Sequence, residues 1–240
     1  MKLRNILKDI LSYGYSDIPS KSGRPAWLSF EDDFESKLFA EGFRKITLKE
    51  SGLTTKDIDN RKTEIGHSDN FYIRNPKGGS KHPDFLVVEN GKIFYIECKT
   101  AVKSRKPTWG SHFPRGQEIW IFCCGKRGKT FQINRTTIFL GEELIPPEDA
   151  KELSALQDKW LERDRKNHRI VLEKYRVGLD RRPQKFYDPE KAKTSVICHP
   201  ERSNREARVL AFVAETLESE KVDKSPEMCY NIGKDHYFKY

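Results

Sequence analysis

Short apolar runs separated by turn-forming residues recur along this chain, and the clearest two predict a β-hairpin. Residues 85–88 (FLVV) and residues 93–96 (IFYI) are rich in β-branched and aromatic side chains. Residues 89–92 (ENGK) lie between them, and their Asn-Gly pair favours a tight turn with positive φ. Successive side chains on a strand point to opposite faces, so both faces of each run are apolar. The pattern therefore predicts two central strands, buried by layers above and below.

Two helices are predicted before this hairpin. Residues 3–11 carry an apolar stripe at helical spacing, typical of a short helix that packs on the body of the protein. Residues 27–43 predict a second helix, with Ser29 as the N-cap, the acids of residues 31–33 in the first turn, and Gly42 near the end. Phe30, Phe34, Leu38 and Phe39 form its predicted buried stripe.

The rest of the chain predicts more strands and then mostly helix. Residues 44–49, 71–73, 118–124 and 130–140 are strand candidates, whereas residues 16–25 and 50–70 show little pattern. Helices are predicted after Pro146 and over residues 203–217. We therefore expect an α/β fold, with a core over residues 1–145 and a helical, loop-rich extension over residues 146–240. No clear linker marks this boundary, and a single domain is the alternative.

Three charged residues interrupt the apolar pattern at the ends of the hairpin strands. Asp84 begins the first run, and Glu97 and Lys99 end the second. Alternation places Tyr95, Glu97 and Lys99 on one face. Buried charges cost several kcal/mol unless they are paired or hold a metal. A structural Glu97–Lys99 pair is one explanation, but Asp84 adds a second carboxylate to a place that already needs a cation.

Pro83-Asp84, twelve intervening residues and Glu97-Cys98-Lys99 resemble the pattern of the PD-(D/E)XK nuclease superfamily. Every defined position of the pattern is matched, and the resemblance covers about residues 27–140. It implies an α/β/α restriction-endonuclease-like core around a mixed sheet. It also implies Mg²⁺-dependent phosphodiester hydrolysis, most often by a type II restriction endonuclease.

The resemblance assigns roles to individual residues. Asp84, Glu97 and the backbone carbonyl of Cys98 would hold Mg²⁺, a hard cation that prefers oxygen ligands. Lys99 would orient or deprotonate the attacking water, and cleavage would leave a 5′ phosphate. Many members carry a further acid on a helix before the motif, and Glu35 has the most similar placement. A solvent-facing helix glutamate is the alternative for Glu35.

Positive charge is concentrated next to the motif. The net charge is +9, and between Lys99 and Lys129 eight Lys or Arg residues stand against one acid, Glu118, which predicts a surface for a polyanion. The candidates for contact with DNA phosphates are Lys81, Lys103, Arg105, Lys106, Arg115, Lys126 and Arg127. Further candidates for DNA contacts are His82, Trp109, His112, Gln117, Arg202, Arg205 and Arg208.

The cysteine content points to a reducing, cytoplasmic location, and the resemblance to restriction enzymes implies a prokaryotic cell. The five cysteines include no C-x-x-C pair, so a disulfide framework is not expected. A zinc site around Cys198-His199 and Cys229 would fit no known spacing. The chain contains no apolar run of about 18 residues and no signal-peptide pattern, so neither a membrane nor secretion is expected.

Three functional hypotheses follow from the sequence. The first is a Mg²⁺-dependent, sequence-specific double-stranded DNA endonuclease of type II, with a homodimer as one option, whose host would need a cognate DNA methyltransferase. The second is a structure-specific repair or junction-resolving nuclease of the same superfamily. The third is a nucleic-acid-binding relative without catalysis, in which the acids are structural.

Overall fold

A mixed seven-stranded sheet forms the centre of the protein. The computed structural model describes residues 1–12, 16–18, 26–66, 68–78, 81–102, 114, 116–127, 131–145, 147–149, 151–152, 155, 159 and 200–219. The strand order is β1-β7-β6-β5-β4-β3-β2. The pairs β5–β6 and β2–β3 are parallel, and the other neighbours are antiparallel. With helices packed on this sheet, the fold class is α/β, as predicted.

The elements follow one another in a simple order within the described ranges. They are α1 (Lys2–Leu11), β1 (Ser16–Ile18), α2 (Ala26–Ala40), β2 (Arg44–Lys45), α3 (Thr55–Asp59), β3 (Phe71–Arg74), β4 (Phe85–Glu89), β5 (Lys92–Val102), β6 (Ile119–Arg127), β7 (Phe131–Leu140), a 3₁₀ turn (Gly141–Glu143) and α4 (Arg202–Glu218).

The predicted hairpin is confirmed, and its turn sets the register of the central strands. Asn90 and Gly91 have φ values of 51° and 81°, which an Asn-Gly pair adopts at low cost. Glu89 therefore pairs with Lys92, and Phe85 with Ile96. This register places residue 84 directly before the partner of residue 96, beside Glu97.

Each face of the sheet has its own hydrophobic core, which explains why the hairpin strands are apolar on both sides. On the first face, Phe85, Val87 and Ile96 pack with residues of α1, α2 and α4. On the second face, Leu86, Val88, Ile93 and Tyr95 pack with Leu53 and with Ile58 of α3. β4 and β5 are thus central strands, as the alternation predicts.

The helix α2 differs from its prediction in a way that matters for the acids. It begins at Ala26, three residues before Ser29, so Ser29 is not the N-cap and the acids at 31–33 are not in the first turn. Those acids lie in the body of the helix, where Phe30, Phe34 and Leu38 are fully buried. The prediction that Phe39 is buried with them is wrong, because Phe39 is 72% exposed near the end of the helix. The positions of the acids therefore reflect contacts with the sheet.

Two segments without an apparent pattern contain structure. Residues 16–18 form β1 and pair with β7. This pairing is made by backbone hydrogen bonds, which no pattern of side chains in the sequence indicates. The polar segment 50–70 contains α3, whose capping box joins Thr54 and Asp57. Conversely, the predicted strand over 44–49 is only Arg44–Lys45.

The last described helix belongs to the same core as the sheet. Val209 and Val213 of α4 are fully buried in the first core, together with Leu3 and Leu7 of α1. The Arg4 side chain donates a hydrogen bond to the carbonyl of Leu210 at 3.1 Å. Most of the predicted extension, including residues 160–199 and 220–240, lies outside the described residues.

No helix in the described part of the chain has the length and apolar character needed to cross a membrane.

Candidate active site

The three residues of the motif come together at one end of two neighbouring central strands. Asp84 directly precedes β4, and Glu97 and Lys99 lie in β5 on the face of the second core. The backbone N–H of Asp84 donates to Glu97 Oε2 at 3.2 Å, and Asp84 Oδ2 accepts from the backbone N–H of Cys98 at 2.8 Å. The Lys99 ammonium pairs with Glu97 Oε1. The hairpin therefore places two carboxylates and an ammonium in one cluster.

A histidine whose sequence context favours an exposed loop position is part of this cluster. His82 is only 6% exposed, and its Nδ1 lies 2.7 Å from Glu97 Oε2. The imidazole stacks on the Trp120 indole, with centroids 5.8 Å apart and planes 15° apart. The Lys99 ammonium lies 5.6 Å from the centre of the same indole. Trp120 at the start of β6 thus supports two polar residues of the site.

Behind His82 lies a second buried carboxylate, which no sequence motif marks. Glu118 is 3% exposed, and its Oε1 lies 3.1 Å from His82 Nε2. Arg61 pairs with Glu118 Oε1, and the indole N–H of Trp120 donates to Glu118 Oε2 at 3.1 Å. The Arg61 guanidinium also lies 4.9 Å above the Tyr95 ring. A continuous polar chain therefore runs from Lys99 through Glu97 and His82 to Glu118 and Arg61.

The two carboxyls of the motif have opposite electrostatic environments. Burial, and then the nearby Glu97, raise the pKa of Asp84 to about 7, although Lys99 opposes this. Burial alone would raise the pKa of Glu97, but hydrogen bonds and charge from His82 and Lys99 lower it to about 2. Near neutral pH, Glu97 is thus a carboxylate and Asp84 is close to its midpoint. A cation bound between them would favour the ionised form of Asp84.

The surroundings of the two basic groups of the site favour their charged forms. Burial lowers the pKa of Lys99, but the charges of Glu97 and Asp84 outweigh it, so the net shift is upward. Burial also opposes the charging of His82, yet hydrogen bonds to Glu118 and Glu97 raise its pKa. The carboxylates around Lys99 therefore favour its ammonium form.

The acid of α2 that interacts electrostatically with the motif is Glu31, whereas the contacts of Glu35, the acid predicted from sequence, lie elsewhere. Glu31 is buried, and burial raises its pKa against the hydrogen bond and charge of Arg74; Glu97 adds to the rise, and Lys99 opposes it. Glu35 instead accepts from the Tyr72 hydroxyl at 3.1 Å and pairs with Lys45 at 2.7 Å. Burial would raise the pKa of Glu35, but its hydrogen bonds with Lys45 and Arg74 lower it. Glu35 thus belongs to a network that joins α2 to the sheet.

Arg74, at the end of β3, is the centre of that network. Its guanidinium lies 3.1 Å from Glu31 Oε2, 2.7 Å from Asp32 Oδ1 and 2.6 Å from Glu35 Oε2. These three acids project from α2, so a single arginine fixes the helix against the sheet. The arrangement also holds Glu31 through one of the two terminal nitrogens of Arg74.

The donor atoms at the site fit a hard divalent cation. Asp84 and Glu97 offer carboxylate oxygens, and Mg²⁺ is typically held by one or two carboxylates together with water and substrate phosphate. The Cys98 thiol packs in the first core on the opposite face and its pKa is raised by burial, so only the backbone of Cys98 is available. No cage of three or more His, Cys, Asp or Glu ligands is present within the described ranges.

Only a few of the residues predicted to contact DNA phosphates lie in the described part of the chain. Lys81 is exposed and directly precedes His82. Lys126 and Arg127 are the last residues of β6. Four of the phosphate-contact candidates lie outside the described residues: Lys103, Arg105, Lys106 and Arg115. Trp109 and His112 lie outside them as well.

Two of the three α4 arginines that are candidates for DNA contacts are engaged within the protein. Arg202 donates to the Thr136 carbonyl at 2.9 Å and pairs with Glu206, and Arg208 pairs with Glu143. These contacts anchor α4 to β7 and to the 3₁₀ turn. The positions of both side chains are therefore explained by contacts within the protein, without a nucleic acid.

Comparison with known proteins adds no assignment, because no family model, no curated protein and no solved structure matches this chain.

Proposed function

We propose that this protein is a Mg²⁺-dependent endonuclease that cleaves double-stranded DNA at specific sequences. The single observation that carries the proposal is the convergence of Asp84, Glu97 and Lys99 on one face, at the same end of two adjacent central strands. A purely structural Glu97–Lys99 pair would not explain the second carboxylate. The pKa of about 7 at Asp84 indicates that its ionised form lacks a sufficient counter-charge.

Two side chains and one backbone carbonyl would hold the metal. Asp84 and Glu97 would each provide a carboxylate oxygen, and Cys98 its carbonyl, as the resemblance to the PD-(D/E)XK nucleases implies. When bound there, Mg²⁺ neutralises charge on the scissile phosphate and makes water a better nucleophile. Asp84 would serve as a ligand in its ionised form, which burial and the charge of Glu97 disfavour as long as no further positive charge is present.

Lys99 acts through its charge. As an ammonium it donates hydrogen bonds to the attacking water and to the phosphate, and it offsets the charge that develops there. The Glu97 carboxylate and the Trp120 ring hold the ammonium in place before the substrate arrives.

Glu31 replaces Glu35 as the helix acid of the proposed site. Arg74 orients Glu31 through a contact of 3.1 Å, and Glu31 is electrostatically linked with Asp84, Glu97 and Lys99. Such a position suits an acid that acts through metal-bound water.

DNA is the proposed substrate because positive charge is concentrated next to this cluster. Residues 99–129 carry a net charge of +7, from eight basic residues and one acid, and they follow directly on Lys99. A restriction enzyme also requires protection of its host, so a cognate DNA methyltransferase is the expected functional partner. A homodimer would allow both strands to be cut.

Cleavage assays with defined variants test the proposal. The wild-type protein, incubated with plasmid or phage DNA and Mg²⁺, should give discrete and reproducible fragments whose ends are ligated without added kinase. Asp84→Asn and Lys99→Met should reduce cleavage by at least ~10³-fold while DNA binding persists. Lys56→Met, at an exposed position of α3, is the matched control and should cut normally.

Other outcomes would favour the alternatives. Cleavage confined to branched or mismatched DNA would indicate a structure-specific repair or junction-resolving nuclease. DNA binding without cleavage under any metal would indicate a non-catalytic relative. Full activity in Asp84→Asn or Lys99→Met would falsify the assignment of the site.

A further inference from the structure

The buried chain behind the motif has a geometry that a nuclease site does not require. His82, Glu118 and Arg61 lie outside the two parts of the motif, yet both carboxylates in the chain, Glu97 and Glu118, are almost fully buried. Buried ion pairs are seldom more stable than well-packed apolar groups of the same volume. Stability alone is therefore a weak reason for this chain to be present.

The two oxygens of Glu97 are used differently. Oε2 accepts from the backbone N–H of Asp84 at 3.2 Å and lies 2.7 Å from His82 Nδ1, so both of its partners come from the segment that precedes β4. Oε1 pairs with the ammonium at the end of the long Lys99 side chain. Oε2 is thus fixed by the protein, whereas Oε1 is the oxygen that a ligand could take by displacing or sharing the lysine.

The ring of His82 is fixed in turn from two directions. Trp120 stacks on its face, and Glu118 Oε1 lies 3.1 Å from Nε2. Glu118 is itself held by Arg61 at Oε1 and by the Trp120 indole at Oε2. Neither ring rotation nor displacement of His82 is possible without breaking one of these contacts.

We propose that His82 is a positioning residue, which with Glu118 and Arg61 fixes the Glu97 carboxylate so that Oε1 alone is presented to the metal. This inference rests on the proposed function. Groups that orient a metal ligand typically change metal affinity about 10- to 100-fold when they are removed. His82 would act through Glu97 and would not touch the metal or the substrate.

Two substitutions of His82 separate positioning from structural support. The amide nitrogen of asparagine can occupy the place of Nδ1, so His82→Asn keeps a donor to Glu97 and loses the contact with Glu118. The longer side chain of glutamine can reach the place of Nε2, so His82→Gln keeps the contact with Glu118 and loses the donor to Glu97. Each variant loses one of two buried contacts, so each is the stability control for the other.

The test measures Mn²⁺ binding to the full-length protein by electron paramagnetic resonance, with thermal melting in EDTA alongside. We expect His82→Gln to bind Mn²⁺ at least ~10-fold more weakly than the wild type, and His82→Asn to bind within about 3-fold of it, at similar melting temperatures. In cleavage assays, the Mg²⁺ concentration for half-maximal rate should rise by the same factor in His82→Gln, and saturating Mg²⁺ should restore most of the rate.

Each remaining outcome has a definite meaning. Equal Mn²⁺ affinity in both variants would overturn the positioning role and leave the proposed nuclease intact. So would a loss of Mn²⁺ affinity that correlates with a lower melting temperature and not with the loss of the donor to Glu97. Absence of Mn²⁺ binding to the wild-type protein would overturn the proposed metal site, and the positioning role with it.

Discussion

Replacement of Asp84 by asparagine tests whether this carboxyl is destabilised as an anion in the metal-free protein. Burial beside Glu97 raises its pKa to about 7, against 3.8 for an unperturbed aspartate. Between these two pH values the folded state binds one more proton than the unfolded chain. The free energy of unfolding therefore falls as the pH rises through this window.

The size of the effect follows from the difference between the two pKa values. One extra bound proton changes stability by about 1.4 kcal/mol per pH unit. Because Asp84 is half ionised at its pKa of about 7, the wild-type protein loses about 2 kcal/mol through Asp84 from pH 5 to pH 7, and about 3 kcal/mol from pH 5 to pH 8. The asparagine side chain cannot ionise, and it retains an oxygen for the N–H of Cys98. We therefore expect the stability of Asp84→Asn relative to the wild type to increase by about 3 kcal/mol between pH 5 and pH 8.

Urea unfolding followed by tryptophan fluorescence, from pH 5 to pH 8 in EDTA, measures this difference. Asp59→Asn, at a surface aspartate, is the matched control and should alter stability by less than about 1 kcal/mol with no trend across the range. Added Mg²⁺ should stabilise the wild type at pH 8 and leave Asp84→Asn almost unchanged. The reasoning would be refuted if the difference in stability between Asp84→Asn and the wild type did not change with pH, or if Asp84→Asn became less stable than the wild type as the pH rises.

Three further perturbations test other parts of the molecule. Glu89→Gln removes the buried carboxylate that accepts two backbone N–H groups at the start of α1, at 2.7 and 2.9 Å, and should cost about 2–3 kcal/mol in denaturant unfolding. Arg74→Met leaves three acids of α2 without their shared partner and should cost about 3 kcal/mol or more, whereas Arg44→Met at a 68% exposed side chain should cost less than about 1 kcal/mol. Neutralising Lys126 and Arg127 together should weaken DNA binding and reduce the slope of log K against log salt by about 1.8.

Specific results would contradict each of these expectations. A stability of Glu89→Gln within about 0.5 kcal/mol of the wild type would show that the start of α1 does not depend on this carboxylate. Equal costs for Arg74→Met and Arg44→Met would remove the network on α2 as a source of stability. An unchanged salt slope would exclude Lys126 and Arg127 from the DNA interface.

The core of the sheet is predictable from sequence because its signals are local. Residues 85–96 combine two apolar runs with an Asn-Gly turn, and the structure has that hairpin in that register. β1 and α3 escape prediction for the opposite reason. The pairing of Ser16–Ile18 depends on a partner strand more than a hundred residues away. α3 is a single capped turn, and its Ile58 and the preceding Leu53 are too few apolar residues to show a helical period.

The site is predictable only where alternation and turn geometry fix positions. Asp84, Glu97 and Lys99 follow from the hairpin, whereas His82, Glu118 and Arg61 come from three segments that meet only in the folded sheet. Glu118 has one local signal, an acid at the head of an apolar strand, but that signal does not distinguish it from a surface charge. Whether Glu31 or Glu35 interacts with the motif depends on the rotation of α2 about its own axis. The sequence analysis places the start of this helix at Ser29, three residues late, and that start does not fix the rotation.

The two-residue turn between β4 and β5 restricts how this gene can change. Both faces of the hairpin are apolar, so after the insertion or deletion of a single codon near Asn90 the strand β5 would still present apolar side chains to both cores. Every side chain beyond the change would nevertheless exchange faces, and Glu97 and Lys99 would turn away from Asp84. Lineages that retain the acidic cluster should therefore vary freely in the amino acids of the strands while tolerating no length variation in this loop.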